Sequence, residues 1–552
     1  MKISLRNFFT MSVVMFAVFF LVMFSGTAKA VLTNYMENEY TGMDGENIGL
    51  ESSDAYQVEE SGDVASYGDG EYLIYVGKSE EAGLMVEEWC RYNRKGFFTY
   101  SSLDDIPELE SIPQFIVIDG RYIDTTGEVQ KLAALAESGA DMIFNGMPSN
   151  NFINSQKKLR RLLGINKIRR TSVDITGQWL FEGFLLGGET VYDAETEEEE
   201  ENLDLDLSVT WYDLSSGVTR YMVGLMDDET LEQYNIEDGI ITEEDGEESE
   251  DESESGDTEE EDETQDADPT FNNERIPPII WSATGADSTV FCVNADYMES
   301  QIGLGLISAM EYEVSDYQLY STVNAQCLSF VNFPTGLSEN YEQLNGLYAR
   351  DWIVMSRDLI WPGITSVATA NDSLPTCYVT RAVNDSVKGD VDDDSFDYAF
   401  RLLREIDGEA GICAVAGEGS TLEESLAEDY EFFTGILPDY EIQSAYIGSQ
   451  SPAVVAKALK KAGFTNVSIY EGDMDAERGC LSFIENGVFV SATHNGISHT
   501  STEDLLEKSL ETALGYTDIV TDISSVLYPE DEDDEWQNFY DYFSSYTNTY
   551  WD

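Results

Sequence analysis

Histidine is nearly absent. The chain holds two in 552 residues, His494 and His499, both in one short stretch. Any mechanism that draws histidines from separate parts of the chain is thereby excluded. Basic residues are scarce as well: 29 lysines and arginines against 108 aspartates and glutamates leave a net charge of −79. Such a surface repels nucleic acid and anionic lipid, which excludes both as partners. It attracts cations, whether metal ions, a cationic polymer or a basic protein. Cysteines are few and scattered (Cys90, Cys292, Cys327, Cys377, Cys413 and Cys480), with no CxxC pair, so no zinc cluster is expected. A chain of this length needs no disulfides to hold its core. The runs around Cys292 and Cys413 are apolar and strand-like, which predicts buried free thiols. There is no GxSxG elbow. Gly77-Lys78-Ser79 lacks the glycine a phosphate loop needs five positions earlier, where Tyr72 stands.

What is present begins with the leader. Lys2 and Arg6 precede an apolar run over 8–24, and Ala28-Lys29-Ala30 has the small-x-small pattern of a signal-peptidase site. The run sits at the lower limit of about 17 residues for a membrane span. The segment is therefore read as a signal peptide or an uncleaved anchor. In either case the body is expected on the extracellular side of the cell membrane.

Residues 31–70 are acidic and rich in Gly and Ser, a spacer. Strands are predicted at 72–76, 115–119 and 141–145, with helices at 80–91 and 128–138. This alternation implies a parallel sheet covered by helices. Shorter alternating runs over 172–282 predict a β-rich insertion, and 242–268 reads as a disordered acidic loop. Order resumes with a strand at 289–294 and a helix at 303–309, completing a first block over 71–335. After a linker (336–373), repeated strand–helix units over 374–552 predict a β/α barrel. The fold class is thus α/β: a flavodoxin-like or glutamine-amidotransferase-like parallel sheet domain with a β-rich insertion, followed by the barrel. Amidotransferase chemistry is excluded, because Asn145-Gly146-Met147 offers no nucleophile.

Barrel chemistry sits on loops at the C-terminal ends of strands. Two such segments are Ala382-Val383-Asn384-Asp385-Ser386 and the stretch 441–450 containing Ser444-Ala445-Tyr446. On these segments the block resembles the polysaccharide deacetylase (NodB-like) family of Pel-type exopolysaccharide systems. In that family the first strand ends in an Asp–Asp pair, catalytic base then metal ligand, and a later strand ends in a motif with two metal-binding histidines. The resemblance puts Asn384 at the base position and Asp385 at the ligand position. It puts Ala445 and Ser449 where the histidines would stand, so the catalytic set is degenerate.

The resemblance implies a non-catalytic protein of exopolysaccharide biosynthesis or export. Its partners would be a cationic, partly deacetylated polymer, the export machinery, and the membrane through the N-terminal segment. Asp385, Tyr446 and Trp536 are the candidate ligand contacts, Trp536 lying in an aromatic-dense tail. Two alternatives stand beside this reading. One is an active metal-dependent deacetylase or hydrolase using Asp385, His494 and His499, with Asp522 near them. The other is a structural envelope protein that binds Ca through its acidic loop. No organic cofactor is expected; a divalent metal, Zn or Ca, is the ion these residues suit.

Overall fold

The computed structural model describes residues 64–193, 208–226, 276–315, 325–334, 361–370, 374–380, 393–416, 420–436, 444–447, 452–462, 468–471, 481–484, 488–492, 494–495 and 501–522, together with positions 354, 357, 358 and 442. The leader, residues 31–63 of the spacer and the acidic loop lie outside the described residues; the end of the segment read as spacer is ordered, with a 3-10 turn at Val64–Ser66 whose Val64 is buried in the core. Among the described residues no helix is long and apolar enough to cross a membrane.

The first sheet is built on β1 (Tyr72–Val76), β2 (Gly96–Tyr100), β3 (Phe115–Asp119) and β4 (Met142–Asn145). Every residue of β1 and β3 is buried, as expected for parallel strands covered on both faces. Helix α1 (Glu80–Tyr92) follows β1 and is capped by the Ser79 hydroxyl. Helix α2 (Thr126–Glu137) opens with a capping box between Thr125 and Glu128. Two short helices, α3 (Asn150–Ser155) and α4 (Lys157–Leu162), lead into β5 (Ile165–Asp174).

The insertion comprises β6 (Gly177–Leu180), β7 (Thr190–Asp193), β8 (Ser208–Leu214) and β9 (Val218–Leu225), and the chain returns through β10 (Pro278–Thr284) and β11 (Thr289–Val293). The sheet order is β2-β1-β3-β4-β11-β10-β9-β6-β7. β2, β1, β3, β4 and β11 run parallel, and the strands beyond β11 alternate as an antiparallel extension. β5 and β8 form a separate antiparallel ribbon. Helix α5 (Ile302–Val314) covers the same face as α1, and its residues 302–310 are all buried. A helix apolar all round is one enclosed on every side.

The second sheet takes in β12 (Ala325–Phe333), β13 (Thr376–Val379), β14 (Glu409–Cys413), β15 (Ser444–Tyr446), β16 (Ser468–Glu471), β17 (Leu481–Ile484), β18 (Val488–Ala492), β19 (His494–Asn495) and β20 (Tyr516–Asp522). Its helices are α6 (Trp361–Ala370), α7 (Asp393–Glu405), α8 (Leu422–Ile436), α9 (Pro452–Ala462) and α10 (Ser501–Leu514). The order is β17-β18-β16-β15-β14-β13-β12-β20-β19. β18 pairs with β16, while β19, one residue further along the chain, pairs with β20. The sheet therefore curls until its two sides meet. β12, β13, β14, β15, β16, the β18–β19 segment and β20 form a ring of parallel strands, with antiparallel β17 outside it. This sharpens two sequence expectations. The barrel begins at β12, which was read into the first block but pairs with β13 and β20. β2, β5 and β17 went unread because they are polar or glycine-flanked and lack a clear alternation.

The two sheets share a core. Leu505 and Leu510 of α10 sit in the same apolar cluster as α1, α5 and the first sheet. α5 and α10 approach so closely that a Cβ on Gly305 would lie 2.3 Å from the Ser509 Cα. Around this crossing, Tyr192 of β7 donates to Asp504, Lys508 pairs with Asp504 at 2.9 Å, and the Leu186 N–H donates to Thr512 at 2.9 Å. At the other end of α1, the Leu481 N–H donates to the Tyr92 hydroxyl at 3.0 Å and Arg91 donates to the Leu481 carbonyl at 3.1 Å.

Gly305→Ala is expected to destabilise the protein by about 1–3 kcal/mol through overpacking. Gly435→Ala, in α8 with nothing within 4 Å of the added methyl, should stabilise by up to about 1 kcal/mol through helix propensity. Thermal melts of the two variants check the contrast, the first falling below the parent and the second at or above it.

Candidate functional site

Inside the ring the strands present their residues in layers, because side chains alternate with a period of two. The lowest layer is polar. Ser329 of β12 donates to Asp518 of β20 at 2.7 Å. Next to them Gly411 leaves room, since a Cβ there would lie 2.5 Å from the Tyr378 ring and 2.7 Å from the Ser444 hydroxyl. The middle layer gathers Val331, Tyr378, Cys413 and Val520, with Tyr446 packed against them. The Tyr378 and Tyr446 rings are 6.0 Å apart.

The upper layer lies at the C-terminal ends of the strands, where barrel chemistry concentrates. Three residues on β12 span two on β13, from the Phe330–Cys377 pair to the Phe333–Val379 pair. This bulge re-aims the side chain at its centre. That residue, Asn332, has φ +60°, a left-handed conformation asparagine tolerates better than most residues. Its Nδ2 donates to both carboxylate oxygens of Asp522 at 2.9 Å, and its Oδ1 accepts from the Thr380 hydroxyl at 3.1 Å. Phe333, Trp361 and Phe400 brace the bulge from the helix side, with ring centroids 4.5 and 5.1 Å from Phe333. The Trp361 indole N–H donates to the Pro334 carbonyl at 2.8 Å.

Cys413 lies beneath this group, fully buried, its thiol donating to the Tyr378 carbonyl at 3.4 Å. Burial pushes the thiol up to about 12, against the lowering effect of the Thr380 hydroxyl and the Asn332 backbone; the Asp522 and Asp429 charges raise it further. A thiol held so high is not a nucleophile at neutral pH. Cys292 and Cys413 are buried free thiols, as expected from their apolar runs; Cys90 and Cys377 are buried free thiols as well, and Cys327 is a partly exposed one. Asp518 is pushed up to about 7 by burial, only partly relieved by Ser329. Glu511 of α10, which accepts from Thr517 at 3.0 Å, is likewise pushed up to about 7 by burial.

The residues singled out from sequence fall in different places. Asn384, Asp385, Ser449, His499 and Trp536 lie outside the described residues. Ala445 is fully buried in β15, at the position alternating with Tyr446, whose ring enters the inner cluster. Its register therefore places it on the helix-facing side of the ring. Tyr446 is half-buried and lines the interior. The backbone of His494 pairs with Ile519 and so helps close the ring. Asp522 is at the mouth. Among the described residues no three His, Cys, Asp or Glu side chains gather closely enough to hold a metal ion. Sequence reasoning missed Asn332, Thr380 and Asp518. The signal was the pair of carboxylates Asp518 and Asp522 on one face of a strand, four residues apart, with Ser329 on the neighbouring strand. What the mouth provides is a half-buried carboxylate held by an amide that a hydroxyl in turn holds, above an aromatic pair, an arrangement suited to gripping a hydroxyl- or amine-bearing ligand.

No family model matches this chain, and no curated protein matches it. Solved structures similar to it include exo-beta-1,4-mannosidase Op5Man5 from Opitutaceae bacterium strain TAV5, at 12% identity over 42% of this chain and 32% of that one, with a TM-score of 0.24. Another is a GH138 enzyme targeting pectin rhamnogalacturonan II, at 9% identity over 49% and 44%, TM-score 0.27. A third is a truncated form of 3-deoxy-D-arabino-heptulosonate 7-phosphate synthase from Thermotoga maritima, at 10% identity over 40% and 85%, TM-score 0.21. The chain spans less than half the length of the first two. At these scores the likeness carries no argument about function.

The buried carboxyl generates a pH prediction. Asp518 titrates near 7 when folded and near its ordinary 3.8 when unfolded. The folded state thus holds a proton the unfolded state has released, and this contribution is complete below about pH 4 and lost as pH rises through 7. Its size is up to about 4 kcal/mol, at 1.36 kcal/mol per pKa unit. Urea denaturation at pH 5 and pH 8 should show the parent losing more stability with rising pH than Asp518→Asn, which keeps the shape and cannot ionise.

Proposed function

We propose that this chain is an extracellular, membrane-associated protein of exopolysaccharide biosynthesis or export, and that its barrel is a polysaccharide-deacetylase-like module that binds polymer without deacetylating it. The observation that supports the reading is Ala445: the resemblance puts it where a metal-binding histidine would stand, and it is a fully buried methyl side chain in β15. On the same resemblance the base position falls on Asn384, which does not accept a proton as a carboxylate does, and Ser449 takes the place of the second histidine, leaving Asp385 alone of the ligand set.

Binding capacity survives this loss. Asp522 offers a negative charge at the mouth, Tyr446 an aromatic surface beneath it, and the net charge of −79 draws in a partly deacetylated, cationic polymer. The leader supports delivery to the side of the membrane where such a polymer emerges.

Calorimetry with partly deacetylated and fully acetylated N-acetylhexosamine oligomers tests the reading. The deacetylated oligomer should bind more tightly, lose affinity in high salt, and bind about tenfold more weakly to Asp522→Ala, the scale of one charge-assisted hydrogen bond. Release of acetate by protein carrying stoichiometric metal would overturn the non-catalytic assignment. Affinity indifferent to both salt and Asp522→Ala would overturn the binding site.

A further inference from the structure

The few basic residues of this chain are not evenly spread. Seven of its 29 fall in the fourteen positions 157–170, and no acidic residue interrupts them. The segment comprises α4, a tight turn at Gly164 and the first part of β5. Leu159, Leu163 and Ile165 are buried and anchor it. Lys157, Lys158, Arg161 and Lys167 stand exposed. Among the described residues, no carboxylate lies within ion-pair range of Lys157, Lys158 or Arg161, and Lys167 reaches Asp213 only at 3.8 Å. The support is rigid. Gly164 has φ +70°, and a Cβ there would lie 2.7 Å from Val218 of β9 and 2.8 Å from Ala283 of β10. In a chain of net charge −79, this is a concentrated cationic surface fixed to the first domain.

The same two strands carry the ends of the connection 227–275. β9 ends at Leu225, whose carbonyl accepts from the Thr176 N–H at 3.0 Å, two residues past the end of β5. β10 begins at Pro278, opposite Val223. Within that connection, 242–268 holds seventeen acidic residues in twenty-seven and no basic one. From Thr176 back to Lys167 along β5 is roughly 30 Å at about 3.3 Å per residue. The connection is several times longer than that when extended, at about 3.4 Å per residue. A polyanion attached at this point faces the cationic surface at an effective concentration on the order of millimolar.

We propose that the 157–170 surface docks the chain's own acidic run, 242–268, in cis. The charges are complementary, the attachment lies on the strands that support the patch, and no external polyanion competes easily with a tethered one. The docking is electrostatic, so it weakens as salt shortens the screening length from about 10 Å at 0.1 M to about 3 Å at 1 M. Docking occupies the patch against outside anions.

Zero-length carbodiimide crosslinking of the full chain, mapped by mass spectrometry, tests this. Links from Lys157, Lys158 or Lys167 to carboxylates of 242–268 are expected within the monomer, and they should vanish in 1 M NaCl. Isotopically mixed links between labelled and unlabelled chains would assign the contact to a second copy and overturn docking in cis. An absence of links to 242–268, or links only to other acidic segments, would overturn it as well. In a full-length variant with the acids of 242–268 changed to Asn and Gln, binding of fluorescent poly-glutamate should rise at least tenfold. Unchanged binding would show that nothing had been displaced and overturn the proposal.

Discussion

The close crossing of α5 and α10 is the contact on which the rest of this structure depends. Gly305 lets the two backbones meet, and the ring of bonds around it, from Tyr192, Asp504, Lys508, Thr512 and Leu186, makes the approach specific. α10 belongs by sequence to the barrel, yet it lends Leu505 and Leu510 to the core of the first sheet. Eight of its residues are buried, six of them polar or charged. A helix with that composition is stable only when every buried group finds a partner. The first domain supplies partners for several of them. The two sheets are therefore joined through a shared core rather than through a linker, and α10, immediately before β20, carries the strand that completes the barrel.

That link bears on the mouth of the ring. β20 brings Asp518 and Asp522 into the interior on the same face, four residues apart. One is sealed against Ser329 and pushed up to about 7 by burial; the other is half-exposed and clasped by Asn332. The barrel interior is thus graded, from a buried carboxyl that resists ionisation below to a half-exposed one at the rim. The bulge on β12 is the local device that permits this. By turning Asn332 toward β20 it ties the first and last strands of the ring together at the place where a ligand would enter.

Much of the fold was legible in the sequence. Strands 72–76 and 115–119 match β1 and β3, and the helix predicted over 80–91 matches α1. Fully buried strands and capped helices leave compositional marks at short range. β2 and β12 were missed for the opposite reason. Gly96-Phe97-Phe98-Thr99-Tyr100 is half-exposed at a sheet edge. The inner face of β12 is partly polar, so neither strand reads as a simple apolar run. The candidate site suffered from the second effect. Asn384, Asp385 and the histidines were conspicuous as residue types, whereas Asn332 and Thr380 become a site only because the ring brings β12, β13 and β20 side by side.

Composition alone determined that this protein carries strong negative charge, that it cannot assemble a histidine-rich centre from distant segments, and that its apolar-embedded cysteines are buried thiols. Local pattern determined the alternation of strands and helices. Tertiary structure alone decided which strand opens the barrel, that β18 and β19 bend to close it, and that Asn332 meets Asp522 across nearly two hundred residues of chain. The physical reason is range. Charge and apolar periodicity act through the solvent and the nearest turn, so they are written in consecutive residues. A hydrogen bond between strands far apart in sequence exists only after β-pairing has set the register, and that register depends on contacts no local segment contains.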